Sequence, residues 1–236
     1  MALCKTLLLA AMLLLPLGGH AEQIRVAAAA DLKFALDEIA ATFKQANPTD
    51  ELDIIYGSSG KFFTQIQQGA PYDLYFSADI AFPRELVKAG YAATEVRPYA
   101  VGRIVLWSAD PQRIGPDGRA ALAAAGVRHL AIANPKLAVY GAAAVEVLRR
   151  LGLWDALQPR LVQGENLSQA LQFVESGNAQ LGFVSLSQVR DPRLAGKGSV
   201  WLVPAELYPP ILQEAVLTQA GASQPGAAAL LAFLRG

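Results

Sequence analysis

Apolar positions along this chain alternate between two periods. Ile24–Ala28 reads as a short buried strand, and Leu32–Lys44 then places Leu32, Leu36, Ile39 and Phe43 on one helical face, with Lys33, Asp37 and Glu38 elsewhere. The alternation continues with a strand at Leu52–Tyr56, a helix at Phe62–Gln68, a strand at Leu74–Phe76 and a helix at Phe82–Ala89. Such a βαβαβα order predicts an α/β fold with a parallel sheet covered on both faces. The run Tyr99–Trp107 predicts one long strand, after which a second α/β unit begins. Its expected parts are a strand at His129–Ala133, helices at Ala142–Leu151 and Leu167–Ser176, and a strand at Leu181–Val184. Val200–Val203 and Ile211–Thr218 read as strands returning toward the first unit. The pattern therefore predicts two α/β lobes joined by a hinge, with a cleft between them. In open α/β sheets ligands lie beyond the carboxyl ends of the strands, where helices begin.

The most apolar stretch comes first. Lys5 is followed by the run Leu7–Leu15, then by Pro16, Gly18, Gly19 and the small-x-small end Gly19-His20-Ala21. This is the pattern of a cleaved export signal, too short for a permanent membrane anchor. Cleavage is expected after Ala21, which removes Cys4, the only cysteine, and leaves about 215 residues, one large or two small domains. Twenty basic and twenty acidic side chains balance to a net charge of +0, with no basic stripe, so nucleic acid is not an expected partner. After cleavage His129 is the only histidine, and it is read as structural at the start of an apolar strand. Thiol nucleophiles and thiolate metal sites are excluded with Cys4. No nucleophile elbow, P-loop or dinucleotide fingerprint occurs. A binding protein is the expectation, an exported α/β hydrolase the alternative.

Four loops carry candidate binding chemistry. Tyr56-Gly57-Ser58-Ser59-Gly60 follows a strand and opens a helix; Ser58 and Ser59 offer hydroxyls beside the free N–H groups of a first helical turn, or one of them merely caps it. Ala27–Asp31 ends the first strand, and its small residues admit a ligand close to the backbone. There Asp31, whose carboxylate would repel an anion, is expected to turn away, cap the helix and contribute backbone. Asn134–Gly141 leads into a helix with Tyr140, either a phenol donor or a packing residue. Gly164–Leu167 precedes another helix, with Asn166 as the expected cap and the Leu167 N–H as a donor. Together these loops suit an anion held by neutral dipoles rather than by salt bridges.

The segments Ala29–Leu32, Tyr56–Gly60, Gly69–Asp79, Ala133–Gly141 and Gly164–Leu171 resemble the molybdate-binding proteins of ABC importers, a family of type II periplasmic binding proteins. The resemblance runs through nearly the whole chain after the export segment. It implies a two-lobed fold with hinge strands and a central cleft: a signal at residues 1–21, a first lobe at 22–102, a second at 103–202, and a return to the first at 203–236. It further implies a molybdate or tungstate ion bound only through its oxygens, held by Ala30, Ser59, Tyr140 and Leu167, with Asp31 and Ser58 beside them. No cofactor is implied. The expected setting is the periplasm, as a monomer that passes its ion to a membrane permease; a receptor for sulfate or another small anion is the alternative. The chain departs from the family in three places. Ala30 and Asp31 stand where a hydroxyl or Asn is common, and Ser185 stands where many members have a Tyr ligand, so that Tyr140 supplies the phenol. Members also continue beyond a segment like Phe233–Gly236 with a further helix and tail.

Overall fold

The computed structural model describes residues 23–234. The export segment and its cleavage point lie outside the described residues, and among the described residues no helix is long and apolar enough to cross a membrane. In chain order the first part contains β1 (Gln23–Ala29), α1 (Lys33–Ala46), β2 (Glu51–Gly57), α2 (Ser59–Gln67), β3 (Leu74–Ser77), α3 (Ala81–Lys88) and β4 (Arg97–Gly102). There follow β5 (Ile104–Ser108), α4 (Gly118–Ala123), β6 (Leu130–Ala133), α5 (Val139–Arg150), α6 (Trp154–Leu157) and β7 (Leu161–Gly164). The chain continues with α7 (Leu167–Glu175), β8 (Leu181–Ser185), α8 (Leu186–Val189), β9 (Ser199–Leu202), β10 (Ile211–Leu217) and α9 (Pro225–Phe233).

These strands form two five-stranded sheets, ordered β2-β1-β3-β10-β4 and β7-β6-β8-β5-β9. Each holds three parallel strands, as the βα alternation predicts, but neither is wholly parallel: β10 runs antiparallel to β3 and β4, and β5 antiparallel to β8 and β9. Central strands are buried on both faces, which is why they read as near-continuous apolar runs. In β1, Ile24, Val26 and Ala28 pack with Leu36 and Phe43 of α1 and with Ala227 and Leu230 of α9. Ala27 faces the other way, toward Phe62 and Ile66 of α2. The second sheet repeats the arrangement, with Ile104 and Ile132 toward Val147 and Leu148 of α5, and Val105 and Ala131 toward Leu171 and Val174 of α7.

Two expectations from the pattern are corrected. Tyr99–Trp107 is not one strand: β4 stays in the first sheet through Gly102, paired with Ile211, and β5 joins the second at Ile104, paired with Ser185. The phenol oxygen of Tyr140 packs against Gly102 so closely that no Cβ would fit, and the chain leaves its sheet there. Val200–Val203 does not return to the first sheet either; β9 pairs with β5, and only β10 crosses back. Pro204, Pro209 and Pro210 lie between them, and residues that lack an N–H cannot extend a ladder.

Candidate functional site

The two halves meet around a small cavity of ≈ 10 Å³. About that volume is the room for a single water. All six positions singled out above (Ala30, Asp31, Ser58, Ser59, Tyr140 and Leu167) line it, together with Ala29, Gly57, Ala78, Ala138 and Val139. The placement follows from topology. Parallel β1, β2, β6 and β7 all end at this level, and the chain turns from them into a 3-10 turn at Ala30–Leu32 and into α2, α5 and α7. Three α-helix N-termini therefore converge on the cavity, each with first-turn N–H groups that lack a partner within their own helix. Their aligned dipoles add positive potential without a cationic side chain.

The side chains are specific in what they leave free. Ser58 is the N-cap residue of α2, yet its hydroxyl makes no capping bond, and its buried Oγ has no hydrogen-bond partner. The neighbouring Ser59 Oγ accepts from Ala78 N at 3.0 Å, so its own O–H remains available to donate. Leu167 is the first residue of α7, and the helix is capped one residue earlier by Asn166, whose side chain accepts from Gln169 N at 3.1 Å, as the sequence predicts. Two of the cavity-lining segments also touch each other across the cleft, through Gly60 N donating to Leu137 O at 2.9 Å.

Asp31 departs from expectation. Its carboxylate caps neither the 3-10 turn nor α1. Instead Oδ2 accepts from Gln213 Nε2 at 2.6 Å and from Tyr140 Oη at 3.1 Å. Gln213 Nε2 also lies 3.2 Å from Tyr140 Oη, closing a buried triangle across the two halves. A capping position is denied to Asp31 because it sits inside the 3-10 turn rather than before it. Burial raises its carboxyl above the ordinary range, against the opposing effect of the bonds from Gln213 and Tyr140. Burial, and then the nearby Asp31, hold the Tyr140 phenol well above its usual range, so it remains an O–H donor.

Gln213 was missed at the level of sequence. The available signal was a Gln-Glu pair inside the apolar run Ile211–Leu217, because a polar residue in a buried strand needs partners. Glu214 has its own partner, a two-bond contact with Arg84 at 3.0 and 2.6 Å. Ser185 does not line the cavity. It caps α8 in a capping box with Gln188, and its Oγ lies 2.8 Å from Ser187 Oγ. Ser187 Oγ in turn donates to Asp31 O at 2.7 Å. His129 lies far from any such role: it is exposed, just outside β6, with Nδ1 3.0 Å from Asn178 O.

Comparison with known proteins agrees with this architecture. The molybdate-binding protein ModA of Rhodobacter capsulatus is 44% identical over 224 residues, covering 94% of this chain and 86% of the relative. ModA of Azotobacter vinelandii is 44% identical over 225 residues, 94% of this chain and 88% of its own. The solved periplasmic molybdate-binding protein of Azotobacter vinelandii superposes with a TM-score of 0.85 at 38% identity, over 90% of this chain and 93% of that one, so the two-lobed periplasmic-binding-protein fold is shared. A family model for bacterial extracellular solute-binding proteins matches residues 24–236, and this chain belongs to that family.

Proposed function

We propose that this protein captures molybdate or tungstate in the periplasm and delivers it to an ABC permease, acting as a monomer and performing no chemistry on the ion. The observation that carries the reading is the buried cavity itself, in which three helix N-termini and two serine hydroxyls converge with no cation among the lining residues. The orphaned Ser58 Oγ belongs to that argument, since a buried hydroxyl without a partner is costly unless a ligand supplies one. The ion is held through its oxygens by Ser59, Ser58, Tyr140, and the backbone at Ala30, Asp31 and Leu167, with no bond from protein to metal. Two relatives at 44% identity that are named for molybdate support the choice of ion.

Binding and release require the halves to part. Residues 22–102 and 203–236 form one lobe in this reading and 103–202 the other, hinged at Gly102–Arg103 and at residues 203–210. Arg103 Nε and Tyr208 Oη, buried without partners, lie on these two crossings, where a change of angle can present new acceptors. Sulfate has the same shape as molybdate but shorter bonds. Donors fixed for the larger ion leave sulfate under-coordinated, at about 1–3 kcal/mol for each unmet buried donor. A cavity with room for one water admits neither tetrahedral ion without some opening, so its volume does not choose between them. Competitive calorimetric titration with molybdate, tungstate and sulfate decides between them. Tight binding of the first two with weak sulfate binding is expected; sulfate binding alone would transfer the protein to the alternative. The hydrolase reading finds no support in His129, which faces solvent away from the cavity.

A further inference from the structure

Tyr140 has a single O–H, and its oxygen lies 3.1 Å from Asp31 Oδ2, so an ionised Asp31, which can only accept, takes that hydrogen. Gln213 Nε2 donates toward the same phenol oxygen and toward the same carboxylate. With Asp31 ionised, then, Tyr140 turns only lone pairs toward the cavity and meets an anion as a second acceptor. With Asp31 protonated the chain of bonds reverses: the Asp31 O–H donates to Tyr140 Oη, and the phenol hydrogen is released to point at a ligand oxygen. We propose that Asp31 is a positioning residue that acts through Tyr140, so that oxyanion binding takes up one proton from solvent at the Asp31 carboxyl. This rests on the oxyanion reading above.

The surroundings of Asp31 favour this accounting. No cation among the described residues pairs with it. Lys33 on α1 lies 3.0 Å from Asp37. Glu214, next to Gln213 on β10, is bound to Arg84. From β4 comes Tyr99, whose phenol donates to Ser77 O at 3.0 Å. The segment after α8 carries Arg193, bound to Asp191 at 2.8 Å, while α8 itself offers only Ser187 to the Asp31 backbone. From α7 the one charge is Glu175, which lines a different cavity. A dianion entering beside an unpaired carboxylate brings the buried site from one negative charge to three, and one proton at Asp31 lowers that to two. The direction of the carboxyl's existing shift, upward through burial, is the direction the ligand would extend.

The sign of the pH dependence follows. Ligand favours the protonated carboxyl, so affinity is constant below the free-state pKa of Asp31 and falls above it, by about tenfold per pH unit while one proton is taken up. The test is calorimetric titration of the full chain with molybdate, repeated with tungstate, in two buffers of different ionisation enthalpy, from about pH 5 to pH 8.5, a range above ordinary carboxylate titration. Proton uptake approaching one per ion, with falling affinity at high pH, is expected. Asp31→Asn, whose amide donates to Tyr140 at every pH, is expected to bind with a flat profile and no uptake, and to exceed the unsubstituted protein at the alkaline end. Tyr140→Phe should bind more weakly and also lose the pH slope, because the donor that Asp31 controls is gone. Binding without proton uptake, or a slope that persists in Asp31→Asn, overturns this inference alone. If neither ion binds at any pH, the solute assignment falls and the inference falls with it. Because the uptake is read first on the unsubstituted protein, misfolding of a variant leaves the test intact.

Discussion

Two cavities lie between the halves, and they differ in almost every property. The larger, of ≈ 480 Å³, is lined by Lys33, Phe34, Trp107, Glu175, Arg193 and Lys197 among others. Three of its lining residues are cations, Lys33, Arg193 and Lys197, yet two of them are already engaged. Lys33 pairs with Asp37, and Arg193 both pairs with Asp191 and sits 4.3 Å from the Phe34 ring centroid. The Arg193 side chain keeps 67% of its surface in solvent, where ion pairing is screened and weak. The smaller cavity has no cation, but its donors are buried, fixed by helix starts, and in the case of Ser58 unspent. Preorganised neutral donors bind an anion without first giving up water or another partner. Formal charge alone points to the larger cavity, whereas the proposed site is the smaller one.

The contrast can be broken by substitution, beginning with the strongest expected effect. Gly60 lies where the halves touch, and a Cβ there would meet Leu137 Cα and O and Phe82 Cζ, each at 3.2 Å. Gly60→Val should hold the cleft apart and cost molybdate affinity about 3 kcal/mol, roughly a hundredfold, the upper range for overpacking. Unchanged affinity by titration would mean that closure at Gly60 is not required.

Ser59→Ala removes both an anion donor and the acceptor of Ala78 N. It should weaken binding by about 1–3 kcal/mol and lower the unfolding free energy by a similar amount, since it strands a buried N–H. Ser58→Ala sharpens the distinction, because its Oγ has no partner to lose. Binding should weaken by about 1–3 kcal/mol while denaturant stability without ligand stays equal or rises. A stability loss in Ser58→Ala would reveal a structural partner for that hydroxyl. The smallest effect belongs to the larger cavity: Arg193→Ala and Lys197→Ala should change molybdate affinity by less than about twofold, as expected for exposed charges. A large loss there would move the anion to the larger cavity.

Much of this arrangement is legible in the sequence because it follows from local rules. A strand ending in Gly57 and a helix opening with serines mark one side of the cavity; Asn166 marks another by its capping chemistry. Buried strands such as β1 and β6 announce themselves by unbroken apolar residues. Features that depend on distant partners are not legible in this way. The division of Tyr99–Trp107 into β4 and β5 depends on Tyr140 packing against Gly102, 38 positions away along the numbering. The partner of Asp31, Gln213, is 182 residues distant, so local pattern suggested a cap where the fold supplies a buried triangle. Ser185, which stands where the resemblance puts a Tyr ligand in many members, closes a capping box with Gln188 and reaches Asp31 only through Ser187.

In the proposed site neutral donors at the helix starts, and not the exposed cations, hold the anion. Crystallisation of the full chain with molybdate, with anomalous scattering recorded at the molybdenum edge, tests it most directly. One anomalous peak is expected, in the smaller cavity, with the ion's oxygens in hydrogen-bond reach of Ser58 Oγ, Ser59 Oγ, Tyr140 Oη and Leu167 N. A peak beside Arg193 and Lys197, with the smaller cavity empty, would contradict it.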